Sequence, residues 1–284
     1  MPLFDSKEKD GIFNAIANEA EFGAEHIALG VRALCEADYR SIANYYQAFY
    51  SLSLGFERTS KLLIMIDKAL TQKGKFPSEE SIRNYGHNLA KLLNAVDSVS
   101  IARGLTSEWT RLPSDSIHNA IIAELNKFSD NVTRYYNIEF LTNPTVKNRI
   151  KDPILSWYDN VTTKVLARHL KQRSKQIIET KAKFIGDMLS ENTLSRTWNE
   201  KGEFVNNIYE ESEWAQEVVF ARKYVRMYVL QIARFLSCMA RELTYISHKA
   251  GLEVIPDLIE IYGIFCNEDD LLKRRKTWDI YHKR

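Results

Sequence analysis

Four arginine–histidine pairs lie close enough along this chain to act together: Arg83 with His87, Arg111 with His118, Arg241 with His248, and Arg275 with His282. Such a pair suits metal-free phosphodiester cleavage. An imidazole moves a proton near neutral pH, and a guanidinium steadies the negative charge gathering on a crowded phosphate. Where the attacking group is a ribose 2′-hydroxyl, such chemistry is confined to RNA. Arg83 and His87 are four apart, so both side chains are expected on one helix face. Arg241 and His248 sit in RELTYISH, seven positions apart, and two helical turns return them to one face. Pro113 separates Arg111 from His118, so no single helix carries that pair. Arg275 and His282 fall at the chain end, where fraying is expected. Arg241 and His248 are therefore the leading catalytic candidates, followed by Arg83 and His87. The competing reading of His87 and His248 is structural.

A second signal is electrostatic. From Lys164 to Lys183 there are seven Lys or Arg and one acid, Glu179. On one continuous helix, Lys164, Arg168, Lys171 and Lys175 project within roughly 60° of each other. Leu166, Leu170, Ile177, Phe184 and Met188 take another face, so the basic row is expected to face solvent and suits a phosphate backbone. The alternatives are a solvated surface or pairing with Glu210, Glu211, Glu213 and Glu217. No His-Glu-x-x-His, Asp-rich loop or cysteine pair is present, so no metal site and no cofactor are expected.

The elements that must position these groups read as helices. The central stretch runs from Gln47 to Val96. Phe49, Leu52, Phe56, Leu63, Ile66 and Leu70 recur at helical spacing, and Leu54, Leu62, Ile64 and Met65 widen the band. Within it, Glu57 precedes Lys61 by four, the favourable order for an ion pair. Gly74 ends the helix. Ser78 caps the next one, whose stripe is Ile82, Leu89, Leu92, Leu93 and Val96. Residues 8 to 37 read as one or two helices with a break near Gly23. A helix capped by Ser114 or Asp115 carries Ile117, Ile121, Leu125 and Phe128. A long helix is expected from Ile154 to Leu189 and another from Val205 to His248, with two short ones after Gly251 and Pro256.

At 284 residues, 45% hydrophobic and 27% charged, the chain can bury a full core. Eleven Gly and six Pro disfavour a turn-rich β fold. The three cysteines lack paired spacing and fit a reducing compartment. Net charge is +2, so nucleic-acid affinity must come from a local patch. The start, MPLFDSKEKD, has no signal-peptide pattern, and no run is long and apolar enough to span a bilayer. A cytoplasmic protein without membrane contact is expected.

Three segments carry a family resemblance: GFERTSKLLIMID with its acid and lysine four apart, GHNLAKLL after a polar turn, and NVTRYYNIEFL with its Arg-Tyr. Together they resemble the HEPN superfamily over the first half of the chain. The resemblance implies an all-α fold, with a HEPN-like helical bundle over 1–145. A helical region, 146–284, packs on it, either as a second domain or as part of one. It also implies a homodimer acting on RNA, as a metal-independent endoribonuclease of a bacterial defence or toxin system. HEPN ribonucleases place four to six residues between the catalytic arginine and histidine. Arg83 and His87 have three between them, while the other three pairs have six; composition alone yields about one such match. The alternative is a non-catalytic scaffold that dimerises or holds a protein partner.

Overall fold

The computed structural model describes residues 6–145, 151–189 and 195–280. The fold is all-α. Helix α1 (Ser6–Glu36) and helix α2 (Ile42–Thr71) form a long hairpin. Then come α3 (Glu79–Arg83), α4 (Leu89–Ala102), a 3-10 turn over Glu108–Thr110, α5 (Ser116–Ser129) and α6 (Tyr136–Thr142). The second half holds α7 (Pro153–Trp157), α8 (Thr163–His169), α9 (Gln172–Leu189) and the 42-residue α10 (Ile208–Lys249). Helices α11 (Ile259–Tyr262) and α12 (Asp269–Arg274) follow. A two-stranded antiparallel ladder, β1 (Thr197–Trp198) with β2 (Phe204–Val205), is an element the sequence pattern did not announce. At its tip, the buried Glu200 carboxylate accepts from Trp214 Nε1 and, at 3.3 Å, from the Tyr45 hydroxyl.

One hydrophobic core runs from Ile16 on α1 to Trp278 beyond α12 and draws on both halves of the chain. Helix α10 is its spine, packing against α1, α2, α5 and α9. The stripes expected from spacing are buried: Phe49, Leu52, Phe56, Leu63 and Ile66 on α2, Leu89 to Val96 on α4, and Ile117 to Phe128 on α5. Asp115 caps α5 by accepting from the Ile117 amide at 2.8 Å. No helix among the described residues is long and apolar enough to cross a membrane.

Helix α1 is continuous through Gly23, where the sequence suggested a break. The glycines there serve packing. A Cβ on Gly30 would lie 2.9 Å from the Leu52 backbone nitrogen, and one on Gly55 would lie 2.8 Å from the Ile27 nitrogen and 2.9 Å from the Gly23 oxygen. The two helices touch backbone to backbone at these points, which only a residue without Cβ permits.

Two expected helices are divided. The one expected from Ser78 to Val96 stops at Arg83, because Gly86 takes a φ of +60° and Asn88 restarts the chain as the cap of α4. The one expected from Ile154 to Leu189 contains a π-helical turn over Tyr158–Thr162 and breaks at Leu170, where ψ is 87°.

Substituting Gly55→Ala forces backbone apart and is expected to cost about 1–3 kcal/mol. Gly11→Ala, where nothing lies within 4 Å, is expected to stabilise by about 0.5–1 kcal/mol. Thermal melts followed by circular dichroism should move in opposite directions for the two variants.

Candidate functional site

The groups that could do chemistry converge where α2, the turn before α4 and the segment after α5 meet. Glu57 sits two residues beyond the Gly55 contact and is buried. Its carboxylate accepts from Lys61 Nζ at 2.7 Å, the ion pair expected from the four-residue spacing. A second partner comes from 30 positions away: His87 Nδ1 lies 3.0 Å and 3.2 Å from the two Glu57 oxygens. The turn that delivers it is locally fixed. Gly86 reverses the chain, Asn88 Oδ1 accepts the Lys91 amide at 2.8 Å, and Ser129 Oγ donates to the His87 carbonyl at 3.0 Å.

With Nδ1–H donated to the carboxylate, Nε2 is left as a free acceptor. The imidazole is 69% exposed, so that nitrogen is open to a solute. Beside it Arg134 and Arg58 line a cleft of about 250 Å³. Asn131, at φ +61°, turns the chain back after α5 so that Arg134 reaches the cleft. The Arg134 guanidinium rests over Tyr50 at 5.1 Å and Phe128 at 5.6 Å. No carboxylate among the described residues pairs with it, and its buried Nε has no partner. Arg58 is neutralised by Glu19 at 2.6 Å. The arrangement can hold an anion on Arg134 and exchange a proton through His87. Glu57 orients the ring and offsets the imidazolium charge.

Sequence spacing did not pair His87 with Arg134, since 47 positions and two helices separate them. The only hint was that each lay in a different segment of the HEPN resemblance. The expected partner of His87 was Arg83. That expectation is corrected: Arg83 ends α3, pairs with Glu79 at 2.6 Å in solvent, and shares no helix face with His87. Nothing lies within 4 Å of the Gly86 Cβ position; its role is the left-handed turn.

Arg241 and His248 do share α10, and their partners differ. Arg241 pairs with Glu242 at 2.9 Å, while His248 Nε2 donates to the Ile255 carbonyl at 2.7 Å and pins the loop after α10. Seven residues of rise hold them about 10 Å apart. The pair that Pro113 seemed to separate is brought to one cavity: Arg111 and His118 both line a space of about 380 Å³ with Trp109, Arg234 and Asp269. Arg111 is held by Asp97 through two contacts of 2.9 Å. His118, 5% exposed, bonds Gln231 Oε1 through Nε2 at 2.7 Å, and its Nδ1 has no partner. Arg275 donates to the Thr277 carbonyl, and His282 lies outside the described residues.

The basic row is divided between two helices, so its single-face projection does not hold. Lys164 and Arg168 are on α8, Lys171 lies in the break and Lys175 is on α9. Arg168 pairs with Asp115 at 2.6 Å, and Lys175 lies 3.9 Å from Glu179. The break also resets the helix phase. Helix α9 rests on the body through Ile178 and Ala182, whereas Ile177, Phe184 and Met188, expected inside, are exposed. Among the described residues no three His, Cys, Asp or Glu side chains gather as a metal site. His26 packs on Phe22 at 4.4 Å and leaves a buried Nδ1 unpaired.

No family model matches the chain, and neither the comparison with curated proteins nor that with solved structures finds a match.

Burial holds the His118 pKa below its ordinary 6.5. The unfolded chain therefore takes up a proton that the folded chain refuses as pH falls below about 6.5. Stability is full above that pH and declines beneath it, by up to about 1.4 kcal/mol per pH unit. Urea midpoints at pH 7.5 and 5.5 should differ less for His118→Gln than for the wild type.

Proposed function

We propose that this chain is an RNA-directed protein of the HEPN type that cleaves RNA without a metal, with His87 as the proton-transfer group and Arg134 as the phosphate anchor. One observation supports the reading above the others. The acid-lysine segment, the Gly-His segment and the Arg-Tyr segment are far apart in sequence, yet Glu57, His87 and Arg134 line one solvent-open cleft. In the proposed reaction His87 Nε2 takes the proton of a ribose 2′-hydroxyl. That oxygen bonds to phosphorus, the bond to the 5′-oxygen breaks, and the leaving oxygen takes a proton from water, to which His87 in turn returns the proton it accepted. Arg134 balances the charge on the phosphoryl oxygens, and Glu57 keeps the imidazole in the productive tautomer. Lys164 and Lys171 are exposed and without carboxylate partners among the described residues, and they suit phosphates further along the strand, beyond the far end of α5.

A second reading, a scaffold that dimerises or holds a protein partner, draws on a different feature. Phe184 and Met188 on α9 and Ile138 and Leu141 on α6 are large apolar side chains left in solvent. The two readings are alternatives, since the second assigns the chain no catalysis.

Incubated with mixed-sequence RNA in EDTA, the wild type is expected to yield fragments ending in a 2′,3′-cyclic phosphate. His87→Ala should slow this about 10²–10⁴-fold, and Arg134→Ala about as much. Loss of cleavage in His248→Ala but not in His87→Ala would move the centre to α10. RNA left intact by the wild type across pH and salt would leave only the scaffold.

A further inference from the structure

Cys238 and Cys266 are 28 positions apart, and the fold brings their sulfurs to 3.3 Å. Both are free thiols. Cys238 is buried in α10 beside the core, and Cys266 is partly exposed just past the 3-10 turn Gly263–Phe265. The two sulfurs need to approach by only about 1.2 Å to reach bonding distance. Two cations stand over the pair. Arg241 Nη1 is 4.0 Å from Cys266 Sγ. Arg234 binds the Asn267 carbonyl and Asp269 at 2.9 Å each, clamping the segment that carries Cys266 onto α10.

We propose that Cys238 and Cys266 form an oxidisable dithiol site for hydroperoxides, with Cys266 as the attacking sulfur and Cys238 as the resolving one. The site is independent of the RNA-cleaving cleft. The S–H of Cys238, followed by Arg241 and Arg234, stabilises the Cys266 thiolate and draws its pKa down to about 6. The hydrogen bond to Cys266, and then burial, push Cys238 up, so the buried sulfur keeps its proton. The thiolate is the nucleophile. Cys266 Sγ attacks the hydroperoxide: an S–O bond forms, the O–O bond breaks, and the leaving alkoxide takes a proton from water. Cys238 then attacks the Cys266 sulfenic acid. The S–S bond forms, the S–O bond breaks, and the departing hydroxide leaves as water with the Cys238 proton. Two thiols are oxidised by two electrons, and the peroxide is reduced to an alcohol and water. A dithiol reductant reverses the change. The third thiol, Cys35, lies against Arg226 Nη1 at 3.2 Å and has no sulfur partner.

The folded full chain would be treated with hydrogen peroxide, denatured in N-ethylmaleimide and weighed by mass spectrometry. Untreated protein should take three maleimides, one per cysteine. Oxidised protein should take one, on Cys35, and give a peptide linking Cys238 to Cys266; dithiothreitol should restore three. Cys238→Ser should leave a sulfenic acid on Cys266 that dimedone traps, with no intramolecular disulfide. Cys266→Ser should slow peroxide consumption about tenfold or more. Three maleimides after peroxide, a bridge involving Cys35, or Cys266 passing to sulfinic acid without the Cys238 link would each overturn the proposal.

Discussion

The close approach of α1 and α2 constrains the rest of the molecule. Gly30 meets the Leu52 backbone, and Gly55 meets Ile27 and Gly23. A glycine contact of this kind fixes both the separation of two helices and their sliding register, because the bulk of any other side chain would push them apart. It therefore fixes where Glu57 emerges, two residues past Gly55. The face of α2 opposite α1 is then free to receive α4 and α5, which bring His87, Ser129 and Arg134. The cleft is a consequence of the hairpin, built at the edge of its packed surface.

A buried carboxylate is costly unless paired, and Glu57 has two partners of different kinds. Lys61 is local, one turn along the same helix. His87 is remote and arrives on a turn that Gly86 and Asn88 define. Such a pairing ties the α3–α4 connection to α2 through a carboxylate that Lys61 already compensates in part. It also means that the imidazole is held from one side only. Its Nδ1 edge satisfies the fold, and its Nε2 edge is left to solution.

What sequence spacing could convey is visible in particular residues. The four-residue Glu57–Lys61 step, the caps at Ser78 and Asp115 and the buried stripes of α2, α4 and α5 are local relations, repeated every turn or set at a helix end. Nothing in the separate segments stated that Arg134, and not Arg83, would line one cleft with His87. That pairing depends on how α2, α4 and α5 cross, which no single segment encodes. The break at Leu170 has neither Gly nor Pro to announce it, so a helix drawn through it put Phe184 and Met188 inside and aligned four cations that the structure divides. Gly23 and Gly30 lower helix propensity, and read locally they argue for a break. Their purpose becomes apparent only when α2 is laid against them. Cys238 and Cys266 lacked any paired spacing because their meeting is tertiary.

Two cavities pair a histidine with an arginine, and their physical state decides which suits a polymer. In the cavity beside α5, Arg111 is already held by both Asp97 oxygens, and His118 is enclosed and disposed by burial to stay neutral. An incoming phosphate would have to displace a two-point ion pair and reach a ring with 5% of its surface open. In the cleft on α2 the order is reversed. Arg134 is stacked on two rings with no acid to give up, so an anion gains its charge without breaking an ion pair. His87 presents its unbonded edge to solvent, where a large solute can reach it without entering the core. Exposure of the histidine, together with an arginine that still has charge to offer, favours the cleft on α2 over the cavity beside α5 as the place for the proposed chemistry.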